Sequence, residues 1–194
     1  MSDKKTLVIA SGNKGKIREI AAMLPEYNVC GCAELGFTQD IEENGTTFTE
    51  NAFIKASTVA KALNLPALAD DSGLSVDALN GAPGIYSARY AGDGNDEHNN
   101  DLLLKNLQGE EDRSAKFVCA MVFCLPNGKT VQSYGETAGV ILTERQGTNG
   151  FGYDPIFMVG QTSYSEMSAE EKDAISHRGQ ALRLLGEEIA KMQF

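Results

Sequence analysis

Two adjacent carboxylates, Asp70 and Asp71, follow directly on the apolar run Leu65–Ala69. That run reads as a buried strand, so the fold must bring something positive to its end or leave two charges beside a core. At the end of a strand in an α/β sheet, a metal in the crevice commonly fills that role. Hard oxygen ligands suit Mg²⁺, which takes one or two carboxylates and shares its other positions with water and phosphate. Neighbouring strand residues point to opposite faces. One aspartate is therefore expected to look into a pocket while the other caps a turn or orients its neighbour. An Asx-type turn before Gly73 is the plain alternative.

The remaining pattern mixes strands and helices. Thr6–Ala10 reads as a buried strand closed by Ser11-Gly12-Asn13, and Ile17, Ile20, Ala21 and Leu24 are spaced for a helix that Pro25 ends. Tyr27–Cys32 looks like a second strand. Thr47, with Glu50 three residues on, is a capping box for a helix running to Leu63. Leu74–Leu79 and Ile85–Tyr90 alternate as strands around the turn Gly81–Gly84, and Asp96–Leu107 is a polar helix. Ala115–Leu125 and Lys129–Leu142 form a hairpin turning at Pro126-Asn127-Gly128. A glycine-rich loop over Gly147–Gly152 is followed by two helices, one from Ser168 and one over 177–192. No repeat or linker divides the chain, so one domain over 1–194 with an α/β fold and a mixed sheet is expected.

A chain of 194 residues can bury a proper core. Its net charge of −10 would repel a nucleic-acid backbone, so no nucleic-acid partner is expected. No apolar run approaches a membrane span, and the short stretch before Gly12 falls short of a signal-peptide core. A cytoplasmic protein without a membrane partner is the expectation. Cys30, Cys32, Cys119 and Cys124 lie in apolar, strand-like runs and read as buried free thiols rather than zinc ligands.

Other short segments could do chemistry beside the aspartates. In Ser11-Gly12-Asn13-Lys14-Gly15-Lys16, a strand turns into a helix and aims backbone N–H groups outward, with the two lysines as point charges for phosphate. It is not a Walker A loop, because the Gly-x4-Gly-Lys-Ser/Thr spacing is absent; a strand-to-helix turn with exposed lysines is the other reading. Glu42-Glu43 precedes the capped helix and could add a metal ligand, although alone it is an acidic surface pair. Phe151-Gly152-Tyr153-Asp154 offers an aromatic face to a base and a carboxylate to its edge, or else a simple turn before Pro155. In Ser176-His177-Arg178-Gly179, Arg178 can donate several hydrogen bonds to a carbonyl or phosphate oxygen, and His177 can donate too. Lys172, read alone, is a solvated lysine. Taken together, the segments read as a site for a nucleoside triphosphate and a metal ion.

In this order the motifs are S-G-N-K-G-K, E-E-N-G-T-T-F-T-E-N, A-D-D-S-G-L, G-A-P-G-I-Y-S-A-R-Y, G-F-G-Y-D-P-I-F and E-K-D-A-I-S-H-R-G-Q-A-L. The chain closely resembles the inosine triphosphate pyrophosphatases, the non-standard purine nucleoside triphosphate pyrophosphatases, over nearly its whole length. The first motif of that family usually begins with Thr; Ser11 keeps the hydroxyl. The resemblance implies a homodimer with an elongated, two-lobed mixed α/β fold and a nucleotide cleft between the lobes. It also implies Mg²⁺-dependent conversion of ITP, dITP and XTP to the monophosphate and pyrophosphate, which cleanses the nucleotide pool. Asp71 is then the proton acceptor and a metal ligand, and Glu42 the second metal carboxylate. Ser11, Gly12, Asn13, Lys14, Gly15, Lys16, Ser72, Phe151, Gly152, Tyr153, Asp154, Lys172, His177 and Arg178 would contact substrate. The roles of Glu42 and Lys172 come from the resemblance alone. A pyrophosphatase for modified pyrimidines or methylated nucleotides and a non-catalytic nucleotide-binding regulator are the rival readings.

Overall fold

A computed structural model describes residues 4–192. The strands are β1 (Thr6–Ile9), β2 (Asn28–Gly31), β3 (Ala67–Val76), β4 (Ser114–Cys124), β5 (Thr130–Ile141), β6 (Phe157–Val159) and β7 (Thr162–Ser163). The helices are α1 (Lys14–Met23), α2 (Phe48–Leu63), α3 (Asp96–Asn106), α4 (Ala169–Ile175) and α5 (His177–Ala190). The strands form one seven-stranded sheet in the order β2-β1-β3-β4-β5-β6-β7. It is mixed: β1 runs parallel to β2 and to β3, whereas β6 is antiparallel to β5 and to β7. The α/β expectation holds. Among the described residues no helix is long and apolar enough to cross a membrane.

The residues cluster into two compact units. The first comprises 1–71, 119–134 and 179–194, the second 72–118 and 135–178. In the first unit, strand alternation divides the core between the two faces of the sheet. Leu7, Ile9, Leu68, Cys119, Met121 and Phe123 pack with Ile20 of α1 and with Leu182 and Leu185 of α5. Val8, Ala10, Ala67, Ala69, Val122 and Cys124 pack with Ala52, Ala56, Val59 and Ala60 of α2. In the second unit, Leu74, Val76, Leu103, Leu107, Phe117, Ile141, Phe157 and Tyr164 form a separate core. All four cysteines are free, Cys30 half-buried and the others buried.

Several expectations need correction. The apolar runs before and after the aspartates are one continuous strand, so Asp70 and Asp71 lie in the middle of β3 and no turn forms at Gly73. Lysines from the flanking helices neutralise them there. Ile85–Tyr90 is not a strand: residues Gly84–Arg89 form a 3-10 turn closed by Ser87, whose hydroxyl donates to Gly84 O (2.7 Å) and accepts from Leu74 N (2.9 Å). A side chain that satisfies two backbone groups at once favours the turn over an extended run. The short strands β6 and β7 went unrecognised. By contrast, the capping box at Thr47/Glu50 starts α2 as expected, and α4 starts after Ser168 as expected, with Ser168 and Glu171 forming a second capping box. The β4–β5 hairpin turns where expected, with Gly128 at φ +85°.

Candidate active site

In the first unit, the alternation of β3 sends the two aspartates to different helices. Asp70 shares the face of Leu68 and meets α1: its Oδ1 lies 2.7 Å from Lys16 Nζ, and its Oδ2 accepts from the Cys119 thiol at 3.2 Å. Asp71 shares the face of Ala69 and meets α2: its Oδ1 lies 2.7 Å from Lys55 Nζ. Lys55 also reaches Glu43 Oε2 at 3.0 Å and the carbonyl of Asp70 at 3.2 Å. The other Asp71 oxygen, Oδ2, is buried and has no hydrogen-bond partner among the described residues.

These charges shift one another. Burial pushes the Asp71 carboxyl up, against the opposing pull of Lys55 and Lys16. For Lys55 burial pulls the other way, but the Asp71 and Glu43 carboxylates outweigh it and hold the ammonium above the usual lysine value. Asp71 is thus a carboxylate with raised proton affinity and one lone-pair face uncommitted. Such a group suits the acceptance of a proton or the binding of a cation.

The Ser11–Lys16 turn is partly self-satisfied. Asn13 caps α1, its Oδ1 accepting from Gly15 N (2.9 Å) and Lys16 N (3.1 Å), and Asn13 N donates to Ser11 Oγ (3.1 Å). Two of the amides expected to meet phosphate are therefore engaged by Asn13. Gly12, Asn13 and Lys14 are exposed, while Ser11, Gly15 and Lys16 are half-buried. Glu42 is exposed and makes no hydrogen bond or ion pair among the described residues; it is Glu43 that the Lys55 ammonium draws in. Lys55 was missed by sequence reasoning. Its signal is spacing: it lies three residues after Ala52 and four before Val59, on the buried face of α2, with buried Asn51 one turn earlier.

The second unit gathers Ser72, Phe151, Asp154, Lys172, His177 and Arg178. Lys172 is not solvated. Its side chain is 5% exposed and its Nζ lies 2.6 Å from Asp154 Oδ2, an oxygen that also accepts from Phe151 N at 2.9 Å. The Phe151 ring, half-buried, has Lys172 Nζ at 4.9 Å and Arg178 Cζ at 5.5 Å from its centroid. Arg178 is buried and donates to Ser72 Oγ at 3.0 Å. His177 is buried with its imidazole stacked on Phe117, centroids 4.7 Å apart and planes within 7°. Tyr153 turns into the core instead, where its hydroxyl donates to Ser87 O at 2.8 Å and burial drives its pKa upward. Phe151, not Tyr153, is the ring a ligand can reach. Gly152 is half-buried between them.

A divalent cation can be tested against this geometry. The buried, unpartnered Asp71 Oδ2 fits one ligand position. Among the described residues no three His, Cys, Asp or Glu side chains gather into a metal nest. That donor set suits an ion which completes its shell with water and phosphate, as Mg²⁺ does, rather than one needing an all-protein cage.

The Ham1 family model matches residues 7–188. A Staphylococcus epidermidis protein named dITP/XTP pyrophosphatase is 52% identical over 184 residues, 93% of this chain and 94% of its own. One of the same name from Bacillus licheniformis is 50% identical over 188 residues, 93% of this chain and 96% of its own. The solved structure of the Staphylococcus aureus Ham1 protein superposes with a TM-score of 0.86 at 47% identity, covering 96% of this chain and 98% of that one. A HAM1 protein from Coxiella burnetii gives a TM-score of 0.86 at 42% identity, with 97% and 100% covered. With sequence and fold in agreement along almost the full length, the chain belongs to the Ham1 family.

Proposed function

We propose that this chain hydrolyses non-standard purine nucleoside triphosphates (ITP, dITP and XTP) to the monophosphate and pyrophosphate with Mg²⁺, and so cleanses the nucleotide pool. The chain is a nucleoside triphosphate pyrophosphatase, as its relatives at about half identity are named. The observation that carries the finer reading is Asp71: buried, raised in proton affinity, and with an uncommitted oxygen. In this reading residues 1–194 work as one domain.

Water attacks the α-phosphorus, the bond from that phosphorus to the bridging oxygen breaks, and pyrophosphate leaves. Asp71 accepts the proton of the attacking water. Lys16 and Lys14 offset charge on the phosphates, with Ser11, Gly12, Asn13, Gly15 and Ser72 lining the path. Mg²⁺ would be held by Asp71 with Glu42 as a second carboxylate, and when bound it neutralises charge on the phosphates. Lys55, 2.7 Å from Asp71 Oδ1, orients the carboxylate and favours its ionised form.

Hypoxanthine and xanthine carry an oxygen at position 6 where adenine carries an amino group. Donors from His177 and Arg178 pair with that oxygen and would be left facing a donor by adenine, a mismatch worth orders of magnitude. Phe151 supplies the stacking face, with Lys172, Asp154, Gly152 and Tyr153 forming its surround. A homodimer, from the family resemblance, and a cytoplasmic location complete the proposal. Hydrolysis of ITP in ¹⁸O-water tests the bond cleaved. Label is expected in the monophosphate alone, and label in pyrophosphate or orthophosphate would overturn the α-attack.

A further inference from the structure

Helix α3 is polar in sequence, yet Asn100, in its second turn, is completely buried. Its Nδ2 donates to Gly152 O at 2.9 Å, while its Oδ1 has no partner among the described residues. A buried amide with one bond made and one acceptor unmet is expensive. Its neighbour Asn99 differs: Oδ1 accepts from Ala91 N (2.7 Å) and Nδ2 donates to Ala88 O (3.3 Å), which pins the segment before the helix. Among the described residues, the single bond of the Asn100 side chain is the one to the Gly152 carbonyl.

One helical turn earlier, on the same face of α3, Asp96 Oδ2 accepts from Gly152 N at 2.8 Å. The Gly152 N–H belongs to the peptide that joins it to Phe151, and its carbonyl to the peptide that joins it to Tyr153. Phe151 N, in the peptide from Gly150, is bound to Asp154 Oδ2. Three consecutive peptide planes are therefore held, by Asp154, Asp96 and Asn100 in turn. Gly150 and Gly152, at φ +80° and +61°, are the residues that would otherwise let this stretch swing. With the planes on both sides of Phe151 fixed, the direction of its Cα–Cβ bond is fixed too.

We propose that Asp96 and Asn100 are positioning residues: α3 grips both faces of Gly152 and thereby aims the Phe151 ring at the base of the substrate. The inference rests on the reading of Phe151 as the base platform. Neither α3 side chain touches the nucleotide in this assignment; each acts through the loop. Loss of the grip should weaken ligands that carry a base and leave those without one untouched.

The test compares wild type with Asn100→Asp, Asp96→Ala and Asp96→Asn, each alone and with Phe151→Leu. The first turns a carboxylate oxygen toward the Gly152 carbonyl, the second removes the acceptor, and the third keeps one. For Asn100→Asp and Asp96→Ala, KM for ITP is expected to rise about tenfold with kcat nearly unchanged. Inhibition by inorganic tripolyphosphate should hold its wild-type strength, Asp96→Asn should recover most of the loss, and the effects should vanish in the Phe151→Leu background. Equal weakening of ITP and tripolyphosphate, or additivity with Phe151→Leu, would overturn the proposal. Hydrogen exchange at the Gly152 amide separates this from the functional reading. If wild type leaves ITP uncleaved, that reading fails, while faster Gly152 exchange in Asp96→Ala still supports the grip and unchanged exchange sinks it.

Discussion

Gly150→Ala reports on the Lys172–Asp154 pair without altering either charge. A Cβ built on Gly150 would stand 2.0 Å from Asp154 Oδ2 and 2.9 Å from Asp154 Cγ, far inside contact distance. The carboxylate must retreat by an ångström or more, and its Oδ2 is the atom bound to both Lys172 Nζ and Phe151 N. Opening a buried pair of this kind costs about 3–5 kcal/mol. Alanine at φ +80° adds about 1–2 kcal/mol for the left-handed conformation. The total of roughly 4–7 kcal/mol is a large part of a domain's stability, equivalent to a fall in Tm of roughly 10–25 °C. Gly152→Ala is the matched control. Its φ is +61° and its Cβ meets nothing within 4 Å, so only the backbone contribution of about 1–2 kcal/mol applies. Urea denaturation of the pair, read by far-UV circular dichroism, isolates the clash from the backbone strain. Equal losses in the two variants would mean that Asp154 yields freely, and the buried pair would then have no part in fixing the loop.

Three further outcomes follow from the same geometry. Asp71→Asn should fold normally and lose about 10²–10⁴-fold in kcat on ITP; near-wild turnover by the folded variant removes Asp71 from proton transfer. Because burial raises the Asp71 carboxyl above its ordinary 3.8, the folded chain just above that pH holds a proton that the unfolded chain has released. Stability should therefore fall as pH rises through that window, a slope that Asp71→Asn flattens in urea titrations; parallel curves for the two proteins would argue against it. Arg178→Ala should lower the ratio of ITP to ATP turnover by an order of magnitude or more, and an unchanged ratio contradicts its pairing with the 6-oxygen.

The local signals in the sequence were strong where one residue type serves one purpose. Capping residues, the Pro-Asn-Gly turn and the apolar spacing of α1 all place elements correctly, because each depends on a few neighbouring residues. Asp70 and Asp71 stood out for a sound reason, but their compensation is long-range: Lys16 and Lys55 arrive from helices on opposite faces of β3. Only the sheet order reveals that, and so the strand was cut short at the charges. Lys172 shows the same limit, since its partner Asp154 is eighteen residues away and nothing in the surrounding helix announces burial. Alternation over the six residues Ile85–Tyr90 is compatible with a strand or with the 3-10 turn that forms at Gly84–Arg89, and the deciding contact runs from Leu74 N to Ser87 Oγ. Lys55 and Asn100 were legible in principle. Each is a polar residue on the inward face of its helix, and that misfit is the mark of a side chain with work to do inside.

The most direct measurement is pyrophosphate release from ITP, XTP, dITP, GTP and ATP, with Mg²⁺ and with a chelator. Strong Mg²⁺-dependent release from ITP, XTP and dITP, with little from GTP or ATP, is the expected result. Orthophosphate as the product, or rates on GTP or ATP equal to those on ITP, XTP and dITP, would contradict it.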